Sequence, residues 1–156
     1  MDIQFKHDKK VFNCRVAGIC IKDNKILLSK MKTDNYWTFM GGKPMFGEPT
    51  EKAVIREFKE ETGVDLEVDR LLSVMENFFE MYGCQWHEYI FFYLLKDTND
   101  FLKVSQEEHT ILDHKDVIYK WLGLDDFMKE DIKPYCAKEI IKDLPGQIVH
   151  IVNSDI

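Results

Sequence analysis

Three carboxylates, Glu57, Glu60 and Glu61, recur at i, i+3 and i+4. A helix of about 3.6 residues per turn gathers them on one face. Like charges so placed repel one another by a few tenths of a kcal/mol per pair. A hard divalent cation offsets that repulsion, and Mg²⁺ is the cation that carboxylate oxygens suit. Just upstream, Gly41-Gly42 supplies backbone able to approach a ligand closely. A glycine turn feeding a carboxylate-lined helix points to metal-assisted chemistry on phosphates. The bland alternative is a solvated acidic face balanced by Lys52, Arg56 and Lys59.

Residues 42–64 read GKPMFGEPTEKAVIREFKEETGV. This run resembles the Nudix box, G-x5-E-x7-R-E-U-x-E-E-x-G-U, where U is bulky and apolar. Gly42, Glu48, Arg56, Glu57, Glu60, Glu61 and Gly63 fill every fixed position, and Val64 fills the last apolar one. Phe58 stands where the family more often has Ile, Leu or Val. At ordinary residue usage, seven such matches arise by chance roughly once in 10⁸ windows. Further upstream, Trp37-Thr38-Phe39-Met40-Gly41-Gly42 is similar to the family's W-x-L-P-G-G, with Met40 in place of the proline.

The resemblance implies an α+β fold, an α/β/α sandwich around a mixed sheet, with the box helix on one face. It also implies hydrolysis of a nucleoside diphosphate linked to another moiety, with Mg²⁺ or Mn²⁺ as cofactor. Glu57, Glu60 and Glu61 then resemble the metal ligands, joined by the Gly41 carbonyl. Arg56 and Glu48 resemble the internal ion pair that orients those carboxylates; the plain alternative is a surface arginine. Lys43 is placed to contact a phosphate. The family recruits one further Glu as a ligand or general base. Glu107, Glu108 and Glu88 are the candidates, with Asp113 and Asp116 behind them. Trp37 and Phe79 are candidate substrate contacts by stacking, against the alternative that they are core.

For substrate, the family's ADP-ribose enzymes often carry a proline about fifteen residues after the box, where this chain has Phe79. The motif of the coenzyme A enzymes is not visible in ILLSKMKTDNYW. A nucleoside triphosphate is the first reading, and dinucleoside polyphosphates are the next. Two readings from other classes stay open. One is a catalytically silent nucleotide-sensing module, which would be expected to lose box carboxylates. The other is a structural divalent-ion site without turnover. Dimers are common in the family, so a homodimer is an expected state.

Composition narrows the partners. The chain has 156 residues, 45% hydrophobic and 31% charged, which suits one domain with a single sizeable core. Its formal charge of −7 repels long nucleic acid, whose binding rests on neutralised phosphates. A small phosphorylated substrate arriving with its own cation escapes that argument. No apolar run is long enough for a membrane span, and the polar start MDIQFKHDKK lacks a secretory core. Cys14, Cys20, Cys84 and Cys136 form no C-x-x-C pair, as expected of free thiols in a reduced cytoplasm.

The elements that must position the box are readable in outline. Val11 to Ile21 and Ile26 to Leu28 flank an Asp23-Asn24 turn, predicting a hairpin. Thr50 is the expected N-cap of the box helix, and Gly63 its left-handed C-cap. Leu66 to Phe79 and Trp86 to Leu95 predict two long strands around Gly83. The second is apolar almost throughout, like a strand covered on both faces. Residues 96–117 predict a polar loop beside the site. A strand at Ile118 to Leu122 follows, then a short helix capped by Asp125 or Asp126. An amphipathic helix is predicted over Tyr135 to Leu144, and a terminal strand at His150 to Val152.

Overall fold

The apolar run at Trp86 to Leu95 lies at the centre of the larger of two sheets. A computed structural model describes residues 1–156. Its strands begin with β1 (Gln4–His7), β2 (Lys10–Ile19), β3 (Ile21–Lys22), β4 (Lys25–Met31) and β5 (Met40–Gly42). Helix α1 (Thr50–Thr62) follows, then β6 (Glu67–Met81), β7 (Cys84–Lys96), β8 (His109–Thr110) and β9 (Val117–Gly123). Helices α2 (Leu124–Phe127) and α3 (Ala137–Lys142) and strand β10 (Val149–Ser154) complete the chain.

The larger sheet has six strands in the order β1-β2-β7-β6-β10, with β5 added to β2. It is mixed: β2/β7 and β6/β10 run parallel, and the other pairs antiparallel. A four-stranded antiparallel sheet, β3-β4-β9-β8, lies beside it.

Alternation along β2 and β7 sorts their side chains into two cores. Val16 and Tyr93 point with Ala53, Val54 and Phe58 of α1. Ala17 and Phe92 point with Phe127 of α2 and with Ala137, Ile140 and Ile141 of α3. The helices therefore cover opposite faces, and the fold is the α+β sandwich that the sequence predicts. Full burial of Phe58 alone contributes about 1.5–3 kcal/mol.

Helix α1 stands as its sequence requires except at its start. Gly63 ends it with φ 76°, its N–H bonded to the Lys59 carbonyl at 2.8 Å. At the other end Pro49, not Thr50, is the N-cap residue, and no side chain caps the helix. The Thr50 hydroxyl instead meets the Tyr93 hydroxyl at 2.7 Å, so a tertiary partner has displaced the local one. Asp125 and Asp126 likewise lie inside the first turn of α2, not at its cap. Helix α3 is shorter than predicted. Its approach is made of three-residue turns, Ala137 N–H to Pro134 O and Lys138 N–H to Tyr135 O, in place of α-helical bonds.

Candidate active site

Arg56 organises the box. Its Nε and Nη2 donate to the two oxygens of Glu48 at 2.8 and 2.9 Å, a bidentate fork that only arginine offers. Nη1 reaches Glu57 at 2.8 Å and Glu60 at 3.2 Å, and Nη2 also donates to the Lys43 carbonyl at 3.1 Å. The Met45 N–H donates to Glu48 at 2.9 Å. One guanidinium thus joins the loop before α1 to three carboxylates. Its hydrogen bonds hold the Glu48 carboxyl below the ordinary carboxylate range and raise the arginine's own pKa.

The carboxylates differ sharply in environment. Burial pushes the Glu57 carboxyl up despite Arg56 beside it. Glu60 stands half-exposed. Glu61 is only 8% exposed, and its Oε2 is buried without a hydrogen-bond partner. Burial first, then Asp113 and Glu57, raise its pKa to about 8, against the pull of Arg15 and the Gly41 N–H.

Strand β5 brings the glycines to this point. It pairs with β2 so that Gly41 faces Ala17 and Gly42 faces Val16. A Cβ on Gly42 would lie 2.2 Å from Glu57 Oε2. Gly41 holds φ 141°, and a Cβ there would strike the Val16 carbonyl at 2.1 Å. Both positions need glycine because backbone and carboxylate occupy the space.

As they stand, no three His, Cys, Asp or Glu side chains converge closely enough to hold a metal ion. The donor set nevertheless fits a hard cation: oxygen ligands, one of them buried and unpartnered at Glu61, with Glu57 lodged against Gly42. Arg56 supplies positive charge beside Glu57 and Glu60.

Comparison with known proteins assigns the family. The family model for the NUDIX domain matches residues 13–144. The chain belongs to the Nudix family. Among similar curated proteins, an ADP-ribose pyrophosphatase of Methanocaldococcus jannaschii is 48% identical over 62 residues, covering 38% of this chain and 37% of that one. An 8-oxo-dGTP diphosphatase of Proteus vulgaris is 33% identical over 76 residues, covering 46% and 68%. The chain spans about a third of the length of the first curated relatives it matches. Among solved structures, the MutT protein of Bacillus halodurans aligns with TM-score 0.61 at 18% identity, covering 91% of this chain and 90% of that one. That likeness is one of fold.

Within this Nudix domain several sequence expectations change. Trp37, read as a substrate contact, is buried at 7% in the core that includes α3, with Lys30 Nζ 4.8 Å from its ring centroid. Packing claims it, because the β-bridges Trp37–Ile132 and Thr38–Ser29 draw this segment inward. Phe79 is half-buried and stacks on Trp86 with centroids 5.7 Å apart. Lys43 donates from Nζ to Gln4 Oε1 at 2.8 Å, which ties the box loop to β1.

Of the further carboxylates, Glu107 and Glu108 stand exposed in the long loop. The end of that loop is tethered to the box by the Leu112 N–H, which donates to the Glu61 carbonyl at 2.9 Å. This brings Asp113, and not the glutamate pair, to bear on Glu61. Glu88 is buried in the middle of the sheet and hydrogen-bonded to Asn13 and Asn77. Arg15, whose Nη2 donates to the Phe39 carbonyl at 3.0 Å, was not singled out by sequence, though its charge acts on both Glu57 and Glu61. A lone arginine in a β-run carries no motif; strand pairing alone puts it beside the box. A cavity of about 420 Å³, lined by Cys20, Lys22, Asp69, Lys96 and Asp97 among others, contains no box residue.

Proposed function

We propose that this chain is a metal-dependent nucleotide pyrophosphohydrolase, acting on a nucleoside diphosphate linked to another moiety, with a nucleoside triphosphate as the first substrate to test. The observation that carries the reading is the Glu61 carboxylate, buried, with one oxygen unpartnered, beside Glu57 and the glycine pair. Such a group is costly unless it serves a ligand. Two relatives support the reaction class, one a pyrophosphatase and the other a diphosphatase.

Glu57, Glu60 and Glu61 would hold Mg²⁺ or Mn²⁺, with the Gly41 carbonyl as a further oxygen. Bound there, the cation would supply polarisation of pyrophosphate oxygens and would lower the pKa of water. The chain's own groups do the rest. The Glu48–Arg56 fork fixes the helix carboxylates in orientation. Arg15 and Lys43 offer positive charge to phosphate oxygens. Asp113, next to the Leu112 N–H that is bonded to the Glu61 carbonyl, would take the proton of the attacking water. Attack at phosphorus releases a nucleoside monophosphate and either pyrophosphate or a phosphorylated partner. Free thiols at all four cysteines suit a reduced cytoplasm. No helix is long and apolar enough to cross a membrane.

The test is a turnover screen over nucleoside triphosphates, nucleotide sugars and dinucleotides in Mg²⁺, in Ca²⁺ and in chelator, with ¹⁸O-labelled water. The expected result is Mg²⁺-dependent cleavage with label on a phosphate product. Robust turnover in excess chelator, or label on a sugar carbon, overturns the reading. Tight nucleotide binding without turnover assigns a sensing module instead.

A further inference from the structure

One row of polar residues crosses the larger sheet. Gln4, Asn13, Glu88, Asn77 and Asn153 stand opposite one another at the same register on β1, β2, β7, β6 and β10. Asn13 Nδ2 donates to Glu88 Oε1 at 2.6 Å, and Asn77 Nδ2 lies 3.4 Å from Glu88 Oε2. Asn153 Nδ2 donates in turn to Asn77 Oδ1 at 2.7 Å. Asn13, Asn77 and Glu88 are all more than nine-tenths buried.

The row is short of donors. An ionised carboxylate has about four acceptor sites, and Glu88 receives two neutral amides, one of them long. Asn13 Oδ1 is buried with no partner at all. A row serving packing alone would gain by being apolar. In the next row on the same face, Ile90, Met75 and Ile151 are apolar, and Arg15 stands beside Ile90 on β2. The unspent acceptors at Glu88 and Asn13 therefore call for a ligand that brings donors.

The rows on either side indicate what kind. Two residues toward one end of the strands, Trp86 and Phe79 pair across the sheet and stack at 13°. A cavity of about 350 Å³, lined by Gln4, Val11, Tyr82 and Trp86 among others, opens at that end. Two residues toward the other end, Arg15 shares the face and acts on the box carboxylates. Each step is about 7 Å. The face thus runs from aromatic rings, through an acceptor row, to an arginine whose charge acts on the box carboxylates.

We infer that Glu88, supported by Asn13 and Asn77, reads the base of the nucleotide, and that the base is of guanine type. Guanine presents N1–H and a 2-amino group side by side, two donors matched to a carboxylate's two acceptors. Adenine and cytosine set a ring acceptor beside their single amino group, and uracil flanks its one N–H with carbonyls. Either arrangement leaves acceptors facing acceptors. Glu88 is then a specificity residue and neither general base nor metal ligand. This inference rests on the nucleotide reading above and deepens it.

The test compares GTP, ITP and ATP, because inosine lacks only the 2-amino donor. For the parent protein in Mg²⁺, kcat/KM for GTP should exceed that for ITP by about tenfold or more, and that for ATP by a larger factor. Glu88→Gln should bring the GTP/ITP ratio close to one. Calorimetric binding of GDP, IDP and ADP in Ca²⁺ gives the same comparison without turnover. Base preference in binding with no hydrolysis would sink the proposed reaction and leave this inference standing. Hydrolysis with GTP and ITP alike within about twofold, or a ratio preserved in Glu88→Gln, overturns the inference alone. So does discrimination against dGTP without any against ITP, which assigns the row to the ribose hydroxyls. Failure of every nucleotide to bind overturns both. If Glu88→Gln does not fold, the parent's GTP/ITP ratio decides.

Discussion

Glu57 Oε2 lies 2.2 Å from the point where a Cβ on Gly42 would stand. The first residue of the box and the first of its three clustered carboxylates therefore share one space, and the glycine is required by the glutamate. Gly42→Ala should displace the carboxylate, which is the far end of a flexible side chain, more than the fold. We expect kcat to fall by about 10²-fold or more, with a thermal midpoint close to the parent's. A variant that unfolds with its activity per folded molecule intact would contradict this.

Arg56 tests the value of a fork. Arg56→Lys keeps the charge but cannot hold both Glu48 oxygens while reaching Glu57 and Glu60. Activity should drop by about 10–100-fold, with a weaker apparent affinity for Mg²⁺. Metal titrations of the initial rate would show it, and an unchanged Mg²⁺ dependence would argue that Arg56 is a surface charge.

Glu61 predicts a pH dependence with a definite sign. Its carboxyl sits at about 8 in the folded chain against an ordinary value of 4.5. Between those values the folded protein keeps a proton that the unfolded chain has released. Stability in chelator should therefore fall as pH rises through that window, and level off above about pH 8. The loss is on the order of a few kcal/mol. Glu61→Gln should flatten this slope and cut kcat by about 10²-fold or more. Mg²⁺ at pH 8 should stabilise the parent by mass action, and the variant less. Denaturant melts at a series of pH values, with and without Mg²⁺, decide the matter; a parent stability that rises with pH would be the wrong sign.

Asp113 separates a proton acceptor from a bystander charge. Asp113→Asn should lower kcat by about 10²–10⁴-fold with little change in KM if it takes the water's proton. It should also lower the pH at which Glu61 ionises, because a like charge is removed. The corresponding change at Glu107 or Glu108, both exposed, should leave kcat within about twofold. A Glu107→Gln defect larger than that of Asp113→Asn would return the role to the loop glutamates.

What the sequence by itself determined is what depends on neighbours along the chain. Helical spacing puts Glu57, Glu60 and Glu61 together, Gly63 can take the left-handed cap, and an apolar run near 86–95 must be buried. Each is a relation over a few residues, and each stands in the structure. Partners distant in sequence were decided elsewhere. Thr50 gave up its cap for Tyr93, 43 residues away. Asn13 and Glu88 are 75 residues apart, yet strand pairing sets them 2.6 Å from one another. Arg15 reaches the box only because β5 lies along β2, and Asp113 only because Leu112 is bonded to Glu61. Trp37 was legible as an aromatic beside the glycines, but which side of the chain it faced was not. Register and burial are collective properties of the paired strands, so no local pattern encodes which carboxylate will be left without a donor.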